Sequence, residues 1–212
     1  MKQKLLLLCK SLLLIVSLSA QVKNPFTSIK PQLEKVINAY PSQFASIKGT
    51  QSQGEPNTIQ YTSTIEIKGA LESKVIGYPS KSNIHWLWEA KLFVTEDMDL
   101  LKKQYKAYYN DIAGKSLMSK GSINSLYATT AYNAPTEELR LWTNQFRIND
   151  ATGEFSQLVV DLVAEYDKFE WVIYLRVYDK EKDEEMKPTK DRNDAYKFGN
   201  EKKSFHLTIQ PE

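Results

Sequence analysis

The sequence predicts an α+β fold, an antiparallel sheet with two helices packed on one face, arising by tandem duplication of an α-β-β-β unit. Three observations predict it. Between Asn83 and Gly114 the apolar period switches. Ile84, Trp86, Trp88, Ala90, Leu92 and Val94 alternate with His85, Leu87, Glu89, Lys91 and Phe93, whereas Met98, Leu101, Tyr105, Tyr108 and Ile112 recur at steps of three and four. The order helix, strand, strand, strand occurs twice along the chain. The connections between successive strands are too short for parallel crossovers.

The chain opens with the three parts of a secretory signal: Lys2 and Lys4, an apolar core ending near Leu18, and small residues Ser17, Ser19 and Ala20. Residues 1–20 are expected to be removed, leaving one α+β domain over 21–212. Its repeat halves cover roughly 28–94 and 95–178, and 179–212 add a charged loop and a last strand. Lys10 interrupts the apolar core, and Leu12 to Leu18 falls well short of the ~20 apolar residues a membrane span needs, so the protein is not expected to be an integral membrane protein. Lys2, Lys4 and Lys10 leave with the signal, so 28 basic residues become 25 against 26 acidic ones and the formal charge moves from +2 to −1. A near-neutral domain has no net pull on phosphate backbones, which excludes nucleic acid as the expected partner. Cys9, the only cysteine, goes too, and the exported fold is expected to hold by core packing alone.

Each element follows in order. Thr27 or Ser28 is the expected cap of a first helix, with Pro31 in its first turn and Leu33, Ile37, Tyr40, Phe44 and Ile47 on one face; Pro41 predicts a kink or break at Tyr40. Thr50 to Asn57 reads as a loop. Strands are predicted over Thr58 to Lys68, Leu71 to Tyr78 and Ile84 to Val94. The second helix opens at Thr95, carries Glu96, Asp97 and Asp99 in its first turn, and stops near Gly114. Lys115 to Glu138 reads as one long connection of Ser, Gly, Asn, Thr and Tyr, a length that is either functional or loosely ordered. Strands return over Leu139 to Ile148, Phe155 to Ala164 and Phe169 to Tyr178. Asp179 to Lys203 holds eight acids and eight bases and reads as a solvated hairpin loop, and Ser204 to Gln210 alternates as an edge strand.

Laying the halves together puts Leu33, Ile37, Tyr40 and Phe44 on Leu101, Tyr105, Tyr108 and Ile112. Trp86 and its alternating tail fall on Trp171, Ile173, Leu175 and Val177. Two such units side by side form a continuous sheet with one face free of helices. On that face the expected residues are His85, Leu87, Glu89, Lys91 and Phe93 from one strand, and Val172, Tyr174, Arg176 and Tyr178 from its counterpart. In layout this is similar to the type III secretion chaperones and the TATA-binding-protein-like domains. The likeness is one of topology, no motif of either family is present, and no site is implied by it.

The chemistry on offer is narrow. The mature chain holds two histidines, His85 and His206, on separate predicted strands, with no HExxH pattern, so neither a zinc site nor a serine triad is predicted. No phosphate loop or nucleophile elbow occurs, and the eight glycines are scattered singly, so no cofactor and no metal are expected. Asp161 interrupts the apolar run Leu158 to Ala164 and reads as a strand residue on a solvated face, or as a partly buried acid. The expected function is an exported, non-catalytic binding module. Its partner would be an envelope or extracellular protein, a polymer or a small ligand, and its candidate binding residues are Tyr174, Tyr178, Arg176, His85 and Phe93. The alternative is a small carboxylate-dependent hydrolase. A concave pocket with two converging acids favours the enzyme, and a flat aromatic face favours the module.

Overall fold

A computed structural model describes residues 27–81, 83–119, 122–149 and 153–180. The predicted signal, most of the charged stretch and the predicted last strand lie outside them. One antiparallel sheet of nine strands carries two helices. Helix α1 (Lys30–Ala39) is followed by β1 (Lys48–Ser52), β2 (Ile59–Ser63), β3 (Glu72–Pro79) and β4 (Ile84–Thr95). Helix α2 (Met98–Ile112) is followed by β5 (Ser116–Ser119), β6 (Ser122–Ala128), β7 (Leu141–Ile148), β8 (Leu158–Asp167) and β9 (Glu170–Asp179). The spatial order is β1-β2-β3-β4-β9-β8-β7-β6-β5. Each helix therefore precedes a meander, and the last strands of the two meanders meet at the centre.

Several expectations need correction. Four strands follow α1 and five follow α2, rather than three each. The polar loop after Gly49 supplies β1, and the long connection after α2 supplies the hairpin β5–β6. The first helix stops at Ala39. Pro41 falls in a 3-10 turn (Tyr40–Ser42), as its missing N–H and fixed φ require, and a second turn (Ala45–Ile47) leads into β1. Its cap position is Ile29 rather than the expected Thr27 or Ser28, and the Ser28 hydroxyl accepts only a long 3.4 Å bond from the Lys30 amide. Asp111, in the last turn of α2, takes the Ile29 amide at 2.7 Å and the Ser28 hydroxyl at 2.9 Å, so one helix caps the other. The second helix starts two residues late by this measure: Asp97 is its cap, accepting from the amides of Asp99 and Leu100 at 2.8 and 3.0 Å.

Both helices bury their apolar stripes in one core. Leu33, Val36 and Ile37 of α1 and Leu101, Tyr105 and Ile112 of α2 meet Trp88, Ala90, Val160, Leu162, Ile173, Leu175 and Val177 from the central strands. The sheet is not flat. Beside β5, at one edge, Asn38 of α1 donates to the Met118 carbonyl at 3.1 Å and Glu34 accepts the Met118 amide at 3.0 Å. The same helix runs through two compact turns into β1 at the opposite edge. A flat nine-strand sheet would hold its edge strands roughly 38 Å apart, and a ten-residue helix is about 15 Å long. The sheet therefore curls around the helices, and α1 also satisfies backbone groups that β5 would otherwise offer to another chain.

Candidate functional site

The central ladder fixes which side chains share the face away from the helices. Glu89 pairs with Arg176 and Lys91 with Tyr174 across β4–β9; Lys74 pairs with Glu89 across β3–β4, and Asp161 with Arg176 across β8–β9. Lys74, Glu89, Arg176 and Asp161 thus form a row of alternating charge over four strands. The Arg176 Nε lies 2.7 Å from Glu89 Oε2, its terminal nitrogen 3.6 Å from Glu165, and Lys74 Nζ 3.4 Å from the other oxygen of Glu89. Burial alone would push the Arg176 guanidinium down. Glu89 and Glu165 more than offset that, and its pKa stands above the ordinary value. Asp161, read from the sequence as a solvated-face residue or a partly buried acid, is buried, and takes a 2.6 Å hydrogen bond from the Tyr178 hydroxyl.

Of the five candidate residues, three come together here. Arg176 is held by two carboxylates, Tyr174 lies half-buried with the guanidinium 4.9 Å from its ring centre, and Tyr178 is buried against Ile76, Leu87 and Val159. Burial first, then Glu89 and Glu165, pushes the Tyr174 hydroxyl up to about 12. Phe93 does not join them. The ladder slips between Lys91 and Phe93, so Phe93 pairs with Ile173 and packs against the helix-side core. His85 goes elsewhere.

His85 lines a cleft where β4 begins and β9 ends, beneath the turns that follow α1. The cleft has a volume of about 200 Å³ and is lined by Tyr40, Gln43, Phe44, Trp86, Glu154 and Asp179 among others. Each part is placed by a local rule. Tyr40 and Phe44 come from the break at Pro41, their rings 6.1 Å apart edge to face. Gln43 and Phe44 both adopt left-handed backbone, at φ 54° and 60°, which L side chains reach only at a cost. Trp86 leans over β3 because its ladder partner there is Gly77; a Cβ at that glycine would come within 2.7 Å of the ring. The Lys48 ammonium sits 3.1 Å from the centre of a Trp86 ring, and burial lowers its pKa.

Two features give the cleft its chemistry. Glu154 and Asp179 supply carboxylates, and the described lining holds no lysine or arginine. The Nδ1 atom of His85 is buried and has no hydrogen-bond partner among the described residues. Sequence reasoning reached His85 as one of only two histidines. It missed Glu154, which sits in a turn, and read Asp179, at a strand end, only as the first acid of the charged stretch, because no spacing marks either. Among the described residues no group of three metal-ligating side chains gathers, and no helix is long and apolar enough to cross a membrane. No family model, no curated protein and no solved structure matches the chain.

Proposed function

We propose that the chain is an exported, non-catalytic binding module that takes its ligand in the cleft at the α1 end of the sheet. The observation that carries this reading is the cleft itself: aromatic walls, strained backbone at Gln43 and Phe44, and an imidazole nitrogen with no partner among the described residues. Strain and an unmet buried polar atom both cost stability, and a ligand that uses them gives a reason to retain them. Export rests on the basic, apolar and small residues of the first twenty positions. The open-face residues Tyr174, Arg176 and Tyr178 serve this reading as the rigid floor on which the β4 and β9 ends are held.

Tandem duplication belongs to the same proposal. Laying Trp86 on Trp171 puts Glu89 on Tyr174, Ala90 on Leu175 and Lys91 on Arg176. A two-fold axis through Ala90 and Leu175 then demands that Glu89 face Arg176 and Lys91 face Tyr174, and the β4–β9 ladder has both pairs. Superposition of the two halves that left α1 and α2 unmatched would overturn it.

One observation favours the hydrolase reading: two carboxylates and a histidine line one concave site. Retention of envelope compounds on the purified protein, read by mass spectrometry against the Glu154→Gln/Asp179→Asn variant, separates the two. The module predicts a compound held unchanged by the native protein and lost by the variant. A compound consumed by the native protein and spared by the variant makes it a hydrolase, and no retention by either sinks the cleft as a binding site.

A further inference from the structure

We infer that the end of the sheet opposite the cleft docks a cationic amphipathic helix presented by a partner protein. Seven large apolar side chains stand exposed among the described residues, and three of them, Met118, Ile123 and Tyr127, belong to the β5–β6 hairpin. The other four each come from a different connection at the end where β4 finishes and β9 begins: Leu71 before β3, Leu100 in the first turn of α2, Leu139 before β7, and Phe169 between β8 and β9. The topology gathers them. Strands β3 and β7 stand four spacings apart across the sheet, roughly 19 Å, and both the β8–β9 turn and α2, which packs on β4, β8 and β9, lie between them.

One of the four is held against the preference of its backbone. Phe169 is 83% exposed at φ 76°, beside Lys168 at φ 47°, in a two-residue turn whose left-handed positions favour Asn and Gly. A bulky ring there adds strain and gains no burial, and contact with a partner gives a reason to retain it.

Charge chooses the partner. The segments that carry these side chains, 64–71, 96–100, 129–140 and 167–170, hold eight acids and three bases, although the whole chain has a formal charge of +2. Asp97 is spent on capping α2, and the seven acids left still outnumber the bases. That field repels the anionic headgroups of a lipid surface and attracts a basic polypeptide. The apolar row has the length of about three and a half turns of helix. A helix with apolar side chains at steps of three and four, flanked by lysine or arginine, therefore matches both the row and its charge.

The test titrates the purified protein with a leucine–lysine peptide of about fourteen residues patterned as an amphipathic helix, with a leucine–glutamate peptide of the same pattern as control, followed by amide chemical shifts. Co-sedimentation with phosphatidylglycerol vesicles runs in parallel. Saturable shifts confined to Gly69–Leu71, Glu96–Leu101, Glu137–Arg140 and Asp167–Glu170 are expected with the lysine peptide, with a micromolar dissociation constant that weakens about tenfold between about 20 mM and about 200 mM salt. Lys168→Asn with Phe169→Gly should bind it about tenfold more weakly while melting higher than the native protein. Because that variant also loses a positive charge, electrostatics alone would tighten its binding. Leu71→Ser with Leu139→Ser, both at exposed positions, should lose a similar factor. Equal binding of the glutamate peptide, lysine-peptide binding unchanged in both variants, or no binding of the lysine peptide refutes the inference. Sedimentation with the vesicles in place of peptide binding makes this end a membrane-contact surface and overturns it as well. The cleft lies at the other end of the sheet, so each of these failures leaves the cleft reading standing.

Discussion

Replacing Tyr105 with Phe tests the packing of α2 on the sheet. The Tyr105 hydroxyl donates to the Leu162 carbonyl at 2.8 Å and accepts from the Asn144 amide at 3.1 Å; Asn144 and Leu162 are partners across β7–β8. One hydroxyl thus bridges two strands from a helix, fully buried. Tyr105→Phe leaves an amide and a carbonyl short of partners in the core, each worth ~1–3 kcal/mol if unmet. Some closing of the strands reduces that, so a loss of about 2–3 kcal/mol is expected, or a Tm lower by roughly 5–10 °C.

The same substitution carries a pH signature. Burial, the largest cause, raises the Tyr105 pKa far above the usual phenol value, so an unfolded chain ionises this group near pH 10 while the folded one keeps its proton. The unfolded state then binds fewer protons. Stability is intact below pH 10 and falls as pH rises toward the folded pKa, by about 1.4 kcal/mol per pH unit for one such group. Urea unfolding at pH 9 to 11.5 should show the Phe variant destabilised at pH 9 and less steep above pH 10 by about that slope. Tyr78 and Tyr174, both pushed up to about 12, sustain the remaining alkaline loss. An unchanged urea midpoint with an unchanged alkaline slope would show that the hydroxyl is not buried between the strands.

Two further outcomes follow from the sheet. Arg176→Met strands Glu89 and Glu165 without their shared cation and should cost about 3–5 kcal/mol in urea unfolding, whereas Arg176→Met with Glu89→Gln should recover part of it; a single variant as stable as the native protein would show the row to be solvated. The β8–β9 hairpin turns on Lys168 and Phe169, at φ 47° and 76°, with Phe169 83% exposed. Lys168→Asn with Phe169→Gly supplies the residues that two-residue turns prefer and should raise stability by about 1 kcal/mol, a Tm gain of roughly 2–4 °C; a loss would mean that the Phe169 ring carries a contact in the folded protein.

What the sequence by itself determined is whatever depends on local period. The alternation of Ile84 to Val94 and of Trp171 to Val177 is decided by which residues are apolar, and β4 and β9 lie where it says. The helical stripe through Leu101, Tyr105 and Ile112 did the same for α2, and Pro41 broke the first helix at Tyr40 as a missing N–H must. The face assignment held through Lys91 because pairing conserves the period of two.

Only the tertiary structure decided the rest. Thr50 to Ser52 and the β5–β6 hairpin carry no clean alternation; they are strands because an adjacent strand offers unpaired backbone groups, a condition no window of sequence contains. One inserted residue at Leu92 moved Phe93 to the other face. The charged row brings Lys74, Glu89, Asp161 and Arg176 together from four strands, and the cleft brings Tyr40 to Phe44 beside His85, Glu154 and Asp179. Those groupings arise because the two meanders meet at β4 and β9 and the sheet curls about α1, so chain ends far apart in sequence share one rim. Local patterning sets which elements form; long-range pairing sets which side chains face one another, and that is where the site lies.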